Sequence, residues 1–249
     1  MAVFAPVIAS HDPFKVTTEV FVPPCSEHLF GTDDLGRDVF SGVVYGARGS
    51  MLIGFLAAGL SSLIGVIIGS ISGYVGGRMD DLLMRISEMF QVIPQFFLVL
   101  LFAVLFGRSI WIIALGVGAI NWPITARLVR VMVLSLKEKP FVEASRALGA
   151  SAGTILFGDI LPNAISPAIV QGSLQIGRAI ILEAGLSFLG LGDPSLMSWG
   201  YQLFNSQQFL RRAWWTSILP GLVLSMTVLA LVLLGDGLNE VLNPRYRKR

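Results

Sequence analysis

Thiols are almost absent from this 249-residue sequence, in which Cys25 stands alone. An intrachain disulfide and a metal cage of thiolates are therefore both excluded. Histidine is nearly as scarce. His11 and His28 fall in a polar stretch near the start, without zinc-type spacing and without a nucleophile motif beside them, so neither a catalytic constellation nor a metal site is expected. No Gly-Lys pair occurs anywhere, so the chain lacks the G-x-x-x-x-G-K-[ST] loop that cradles a nucleotide. Charge is the largest deficit. Only 14% of residues are charged, against roughly 25% in soluble domains, and a net charge of +2 argues for neither nucleic acid nor an acidic partner.

Apolar residues take up the difference, at 54% of the chain with a mean hydropathy of +0.73. A bilayer core about 30 Å thick is crossed by roughly 20 apolar residues. Stretches 49–77, 89–107, 109–126 and 213–235 contain no Asp, Glu, Lys or Arg, and 165–190 is interrupted only by Arg178 and Glu183. The expected fold is an all-α membrane protein, a bundle of five core transmembrane helices. The opening MAVFAPVIAS, residues 1–10, is about half a span long and lacks the basic start and cleavage site of a signal peptide. It reads as the end of a truncated first transmembrane helix, a remnant sixth. Loop 11–48, a membrane domain over 49–240 with a polar excursion at about 137–164, and a basic tail at 241–249 complete the organisation.

The positive residues give the orientation. Segments 76–88, 127–162 and 236–249 hold eleven Lys or Arg, against six in the alternate segments. The positive-inside rule places the first set, including the C-terminus, in the cytoplasm and the loops 10–48 and 191–212 outside. In the loop before the first span, Asp33, Asp34 and Asp38 lack the alternation of a calcium loop, and a capped helix start is the simpler expectation. Ser61, Gly65, Gly69, Gly73 and Gly77 then recur every four residues, the spacing of a groove for close helix packing in lipid.

Only Gly107, Arg108 and Ser109 separate the second and third spans, which predicts a tight antiparallel pair. Within NWPITARLVR, Pro123 is expected to kink its helix. Asn121 needs a hydrogen-bond partner, either in interhelical packing or in the lining of a polar pathway. Arg178 and Glu183 lie about 140° apart round one helix, too far to pair, so each should meet another helix, another subunit or a water-filled passage. Glu183 joins Asn121 as a candidate pathway residue.

The stretch PFVEASRALGASAGTILFGDILPNA interrupts this apolar pattern. Pro140 suits a first helical position and Gly149 the residue past the end, predicting a helix of about nine residues, about 13 Å long. Phe141, Ala144, Ser145 and Leu148 share one side, and Glu143 and Arg146 point the other way. So short a helix is marginal alone. It either lies on the membrane or its own bundle, or docks in a groove of a separate cytoplasmic protein.

The same stretch closely resembles the EAA loop of bacterial and archaeal ABC importer permeases. Glu143, Ala144, Gly149, Leu161 and Pro162 match that pattern in register, while Ser145 replaces an Ala and Asp159 stands where the pattern has Ile, with Ile160 beside it. HLFGTDDLGRDVFSGVVYGAR, WPITARLVR, EAGLSFLGLG, SWG and LLGDGLNEVLNPR look like the second permease of dipeptide, oligopeptide and nickel importers, over nearly the whole chain. GDPSLMSWG is shorter than that family's usual loop, and Asn239 stands where Arg is more usual.

The resemblance implies a multi-pass inner-membrane subunit, not an enzyme, with no cofactor of its own. ATP and Mg would sit on two ATPase subunits or domains. A homologous second permease and an extracytoplasmic solute-binding protein would complete the importer, with peptides as cargo and nickel or other small solutes as the alternative. Phe141, Glu143, Ala144, Ser145, Leu148, Gly149, Leu161 and Pro162 become the expected ATPase-coupling residues. An ion-coupled secondary transporter would need matched broken helices and midplane carboxylates, and no second copy of the NWP or EAG segments is present.

Overall fold

The computed structural model describes residues 2–242, and the basic NPRYRKR end of the chain lies outside the described residues. Every regular element among those residues is helical: α1 (Ala5–Ile8), α2 (Val39–Val75), α3 (Gly77–Val92), α4 (Gln95–Phe106), α5 (Ile110–Lys137), α6 (Pro140–Ala147), α7 (Ala152–Phe188), α8 (Trp199–Ser206) and α9 (Trp215–Leu242). Four of these, α2, α5, α7 and α9, are long and apolar enough to cross a membrane, and α3 with α4 makes a fifth if that bent pair counts as one span. The opening segment contributes only the four residues of α1.

Two boundaries differ from the sequence expectation. Helix α2 starts at Val39, so residues 39–48 are helix and not loop. Asp38 explains the early start, because its Oδ2 accepts the Ser41 amide at 2.7 Å, the N-cap arrangement that satisfies an orphan donor of the first turn. The charge-free run 89–107 is not one straight helix either. Pro94 disfavours helical geometry at the residue before it, Ile93 is extended (φ −88°, ψ 130°), and α3 and α4 diverge by 85°. Pro123, by contrast, sits inside a helix that continues to Lys137.

The described residues form two compact units, one of 2–55, 100–114 and 176–230, the other of 56–99, 115–175 and 231–242. In the second unit the glycine stripe of α2 lies against α5. A Cβ placed at Gly65 would come within 2.9 Å of the Trp122 carbonyl oxygen, and one at Gly73 within 2.8 Å of the Arg130 carbonyl oxygen. Backbone-to-backbone approach of this kind maximises dispersion where lipid removes the hydrophobic drive to associate. Polar links fasten the same helices. Arg130 Nε and Nη2 donate to the two carboxylate oxygens of Asp80 on α3, at 2.5 and 2.6 Å, and Ser72 donates to Asp80 as well. Lys137 Nζ reaches the Tyr74 carbonyl, one of the otherwise unpaired acceptors at the end of α2, at 2.7 Å.

In the first unit, Glu183, Ser187 and the Ser198–Trp199–Gly200 turn pack as one piece. Glu183 is buried, and its Oε1 accepts from Ser187 Oγ at 2.6 Å and from Ser198 Oγ at 2.9 Å. Ser198 also caps α8 by accepting the Tyr201 amide at 3.1 Å. Gly200 lies so close to α7 that a Cβ there would stand 2.6 Å from the Ala184 Cα. Trp199, fully buried, donates from Nε1 to the Val43 carbonyl at 3.0 Å.

Candidate functional site

The segment from Lys139 to Pro162 is built from a short helix, a turn and a widened helical stretch. Helix α6 spans eight residues, Pro140 to Ala147, with Pro140 at its first position. Proline there costs nothing, because its missing amide is one that no helix can satisfy. At the other end Gly149 adopts φ +82°. Its amide donates to the Arg146 carbonyl at 3.0 Å, and the Ala150 amide donates to the Ser145 carbonyl at 3.1 Å. These two bonds are the Schellman closure, which needs a residue in the left-handed region and so favours glycine. No neighbour would meet a Cβ at Gly149, so the requirement is conformational and not steric. Ser151 then opens α7 by accepting the Thr154 amide at 3.2 Å, and Ile155–Ile160 form a π-helical turn inside it.

Burial divides this segment sharply. Val142 is fully buried in an apolar cluster with Val129, Val133, Ile155, Leu156 and Ile160. Phe141, Ala144 and Leu148 of the predicted stripe are exposed, Leu148 by 88%, and Ser145 is half-buried. The helix is therefore anchored by a side chain outside that stripe, and the stripe is left to face outward. Nothing in the sequence pattern singles out Val142, which lies between Phe141 and Glu143. Glu143 and Arg146 are exposed, Leu161 is half-buried and Pro162 exposed. Phe157, exposed on the π turn, adds a large apolar group that the sequence pattern does not single out. Ile160 is buried where Asp159 is only half-buried, so the apolar position of this turn is filled one residue later than the loop pattern has it.

The two candidate pathway residues are both buried, and each is held locally. Asn121 Nδ2 donates to the Val117 carbonyl of its own helix at 2.9 Å, which satisfies one of its two amide hydrogens within the helix. Nearby, Gln175 Nε2 on α7 donates to Thr125 Oγ1 on α5 at 2.9 Å. Glu183 keeps Oε2 without a protein partner among the described residues, in a small cavity lined by Ile53, Ile110, Ile113, Asp193, Leu196 and Ser198. Arg178 is exposed on α7, apart from Glu183 as the helical spacing requires.

Asp193, in the loop after α7, ties that loop to the start of α5. Its Oδ2 accepts the Ile110 amide at 3.1 Å, capping α5, and its Oδ1 accepts the Ser195 amide at 2.9 Å and hydroxyl at 2.6 Å. Partial burial raises its pKa, but these hydrogen bonds to the charged form outweigh burial and hold the carboxyl below its ordinary value.

The fold superposes on a chain of the MetNI methionine ABC transporter in its inward-facing conformations with a TM-score of 0.63 at 21% identity, covering 81% of this chain and 96% of that one. A second solved structure, an amino acid ABC transporter with histidines, gives a TM-score of 0.59 at 16% identity, covering 84% and 95%. Sequence relatives are nearer. The dipeptide transport system permease protein of Alkalihalophilus pseudofirmus is 39% identical across 99% of this chain and 82% of its own length. The oligopeptide transport system permease protein of Bacillus subtilis is 40% identical across 100% of this chain and 82% of its own length. The model of the binding-protein-dependent transport system inner membrane component matches residues 65–248. By that match and those relatives, this chain belongs to the family of binding-protein-dependent transport system inner membrane components.

Proposed function

We propose that this chain is the permease subunit of an ATP-driven importer that carries dipeptides or oligopeptides across the cytoplasmic membrane. The observation that carries the reading is α6. It is closed by a left-handed glycine, anchored by Val142, and presents Phe141, Ala144 and Leu148 outward beside Glu143. An amphipathic helix so presented suits a groove on a partner protein. Because Val142 packs on α5 and on the start of α7, a pull on α6 is transmitted to two long apolar helices.

In this reading two ATPase subunits, which hold ATP and Mg, close on nucleotide binding and draw α6 with them. A passage formed with a second, homologous permease switches between inward-facing and outward-facing states. The α6 side and the C-terminus lie in the cytoplasm, and loop 11–38 receives an extracytoplasmic solute-binding protein. Phe141, Ala144, Ser145 and Leu148 supply the packing face and Glu143 the polar contact. Gly149 sets the turn, and Leu161 and Pro162 frame the second half of the contact. Asn121 and Glu183 belong to the helices that surround the passage. Peptide cargo is the substrate in the names of the two permeases compared above.

The assembled transporter, reconstituted in proteoliposomes, provides the test through labelled di- and tripeptide uptake and ATP hydrolysis. Gly149→Asp and Glu143→Ala are expected to lower both together while the subunits still assemble around a folded permease. Uptake that continues without ATP, or that follows an ion gradient, would overturn the reading. Uptake of nickel with no peptide uptake would overturn the cargo alone.

A further inference from the structure

The two histidines, 17 positions apart in sequence, meet in the structure. Their rings lie 5.0 Å apart between centroids, and both face the carboxylate of Asp38 at the start of α2. His28 Nδ1 stands 2.9 Å from Asp38 Oδ1, and His11 Nδ1 stands 3.9 Å from Asp38 Oδ2. One ligand atom from each of the three residues can be chosen so that all lie within 4.8 Å of one another. We propose that His11, His28 and Asp38 bind a divalent ion of the zinc class, which pins the segment after α1 to the start of α2.

Coordination geometry supports the assignment. Zinc bonds to imidazole nitrogen and carboxylate oxygen are about 2.0–2.2 Å long, so tetrahedral ligands sit about 3.4 Å apart. The 2.9 Å from His28 Nδ1 to Asp38 Oδ1 is shorter than that spacing, the 3.9 Å from His11 Nδ1 to the other oxygen, Oδ2, is longer, and the set of three ligand atoms lies within 4.8 Å, so the ligands have to close on the ion. The outer histidine is the one with freedom to adjust, since its side chain is partly exposed while those of His28 and Asp38 are buried. In the described contacts His11 Nδ1 also lies 3.0 Å from Ser10 Oγ, a hydroxyl that can rotate away.

The surroundings of His28 favour a ligand role. Its second ring nitrogen, Nε2, lies 3.2 Å from Glu19 Oε2. A histidine that binds metal through one nitrogen characteristically donates its other ring N–H to a carboxylate or carbonyl, which fixes the tautomer and orients the ring. Glu19 takes the Nε2–H, and an ion would displace the Nδ1 proton that His28 shares with Asp38 Oδ1 at 2.9 Å and bind the lone pair so released. The backbone is held too. The His28 carbonyl accepts the Cys25 and Gly31 amides, each at 2.9 Å, and the His11 amide donates to Ser41 Oγ at 3.1 Å.

The donor set selects the ion. Two imidazoles and one carboxylate suit zinc, copper or nickel, whereas calcium and magnesium call for six or more oxygens. Three protein ligands leave a fourth position for water. The ion would be resident and structural, because it joins three separate pieces of the chain, and it is distinct from any transported solute.

The test uses the whole transporter in nanodiscs, purified through an affinity tag that contains no histidine, stripped with a chelator and titrated with Zn²⁺ against a chromophoric competitor. The expected result is one tight site per permease chain. His11→Ala should weaken it by at least about 10-fold and Glu19→Gln by about 10-fold, with Cys25→Ser leaving it unchanged. X-ray absorption should show nitrogen and oxygen neighbours and no sulfur. His11 is the variant of choice because its side chain is partly exposed, and size exclusion and ATPase activity confirm that the variant is assembled. The proposal fails if stripped wild type takes up no stoichiometric Zn²⁺, or if His11→Ala binds it as tightly. The cluster is then only a hydrogen-bonded pair of carboxylates around His28.

Discussion

The segment around α6 and the loop that leads into α2 treat their side chains in opposite ways. Around α6, large apolar groups, Phe141, Leu148 and Phe157, are turned outward, and one apolar residue, Val142, holds the helix down. In the loop before α2, titratable groups are turned inward, with His28, Arg37 and Asp38 all buried. Burying charge without partners is expensive, so the loop satisfies its own: Asp33 holds the Arg37 side chain at 2.6 Å, and Asp38 holds both His28 and the α2 amide. A surface that leaves its apolar groups unsatisfied is built to be completed by another molecule. A loop that pairs its own charges holds its own shape before anything binds to it.

The most disruptive change should fall on neither region but on the link that supports the first. Asp80→Ala leaves the Arg130 guanidinium without its bidentate partner, and is expected to destabilise the folded transporter by about 2–3 kcal/mol, less than a fully buried pair because Arg130 is partly exposed. Thermal unfolding in detergent reads the loss, and the Asp80→Ala, Arg130→Met double variant should recover part of it.

A pair of substitutions separates anchoring from docking. Val142→Ala removes packing from a fully buried site and should cost about 1–2 kcal/mol of stability. Leu148→Ala, at a residue 88% exposed, should change stability by less than about 0.5 kcal/mol. The order reverses in ATPase coupling, measured as peptide-stimulated hydrolysis. Equal thermal shifts from the two variants would break the contrast between inward anchor and outward face.

Gly149→Ala imposes a left-handed conformation on a residue with a Cβ, at about 1 kcal/mol. Since no neighbour would clash with the added methyl, Gly149→Asn, which tolerates that conformation, should restore much of the coupling. Failure of that rescue would show that the turn is needed for reasons beyond backbone geometry.

The smallest effect concerns pH. The Asp193 carboxyl titrates below its ordinary value in the folded protein, so its contribution to stability is complete above the unfolded-state pKa of about 3.9 and disappears as pH falls through the lower folded value. Asp193→Asn should flatten the acid limb of a stability profile below about pH 4, while leaving neutral-pH unfolding within about 1 kcal/mol of wild type. An unchanged acid limb would remove Asp193 from the capping of α5.

Several features were legible in the residues alone. Long charge-free runs require membrane-compatible helices, because an unpaired backbone amide in lipid has no water to bond. The four-residue repeat of glycines in α2 anticipates a close approach to a neighbouring helix, and the Pro140 and Gly149 punctuation marks both ends of α6, since each residue has a backbone requirement that does not depend on what surrounds it.

Other features depend on which surfaces meet, and only the tertiary structure decided them. The rotation of α6 is one: its wheel contains an apolar stripe, yet the cluster of Val129, Val133 and Ile160 takes Val142 and leaves that stripe outside. The start of α2 at Val39 is another, fixed by a cap from Asp38, and the 85° bend at Ile93–Pro94 divides a run that composition alone would have kept whole. The meeting of His11, His28 and Asp38 is a third. Periodicity reports contacts within one element, whereas these pairings cross between elements, and their geometry exists only once the chain has packed.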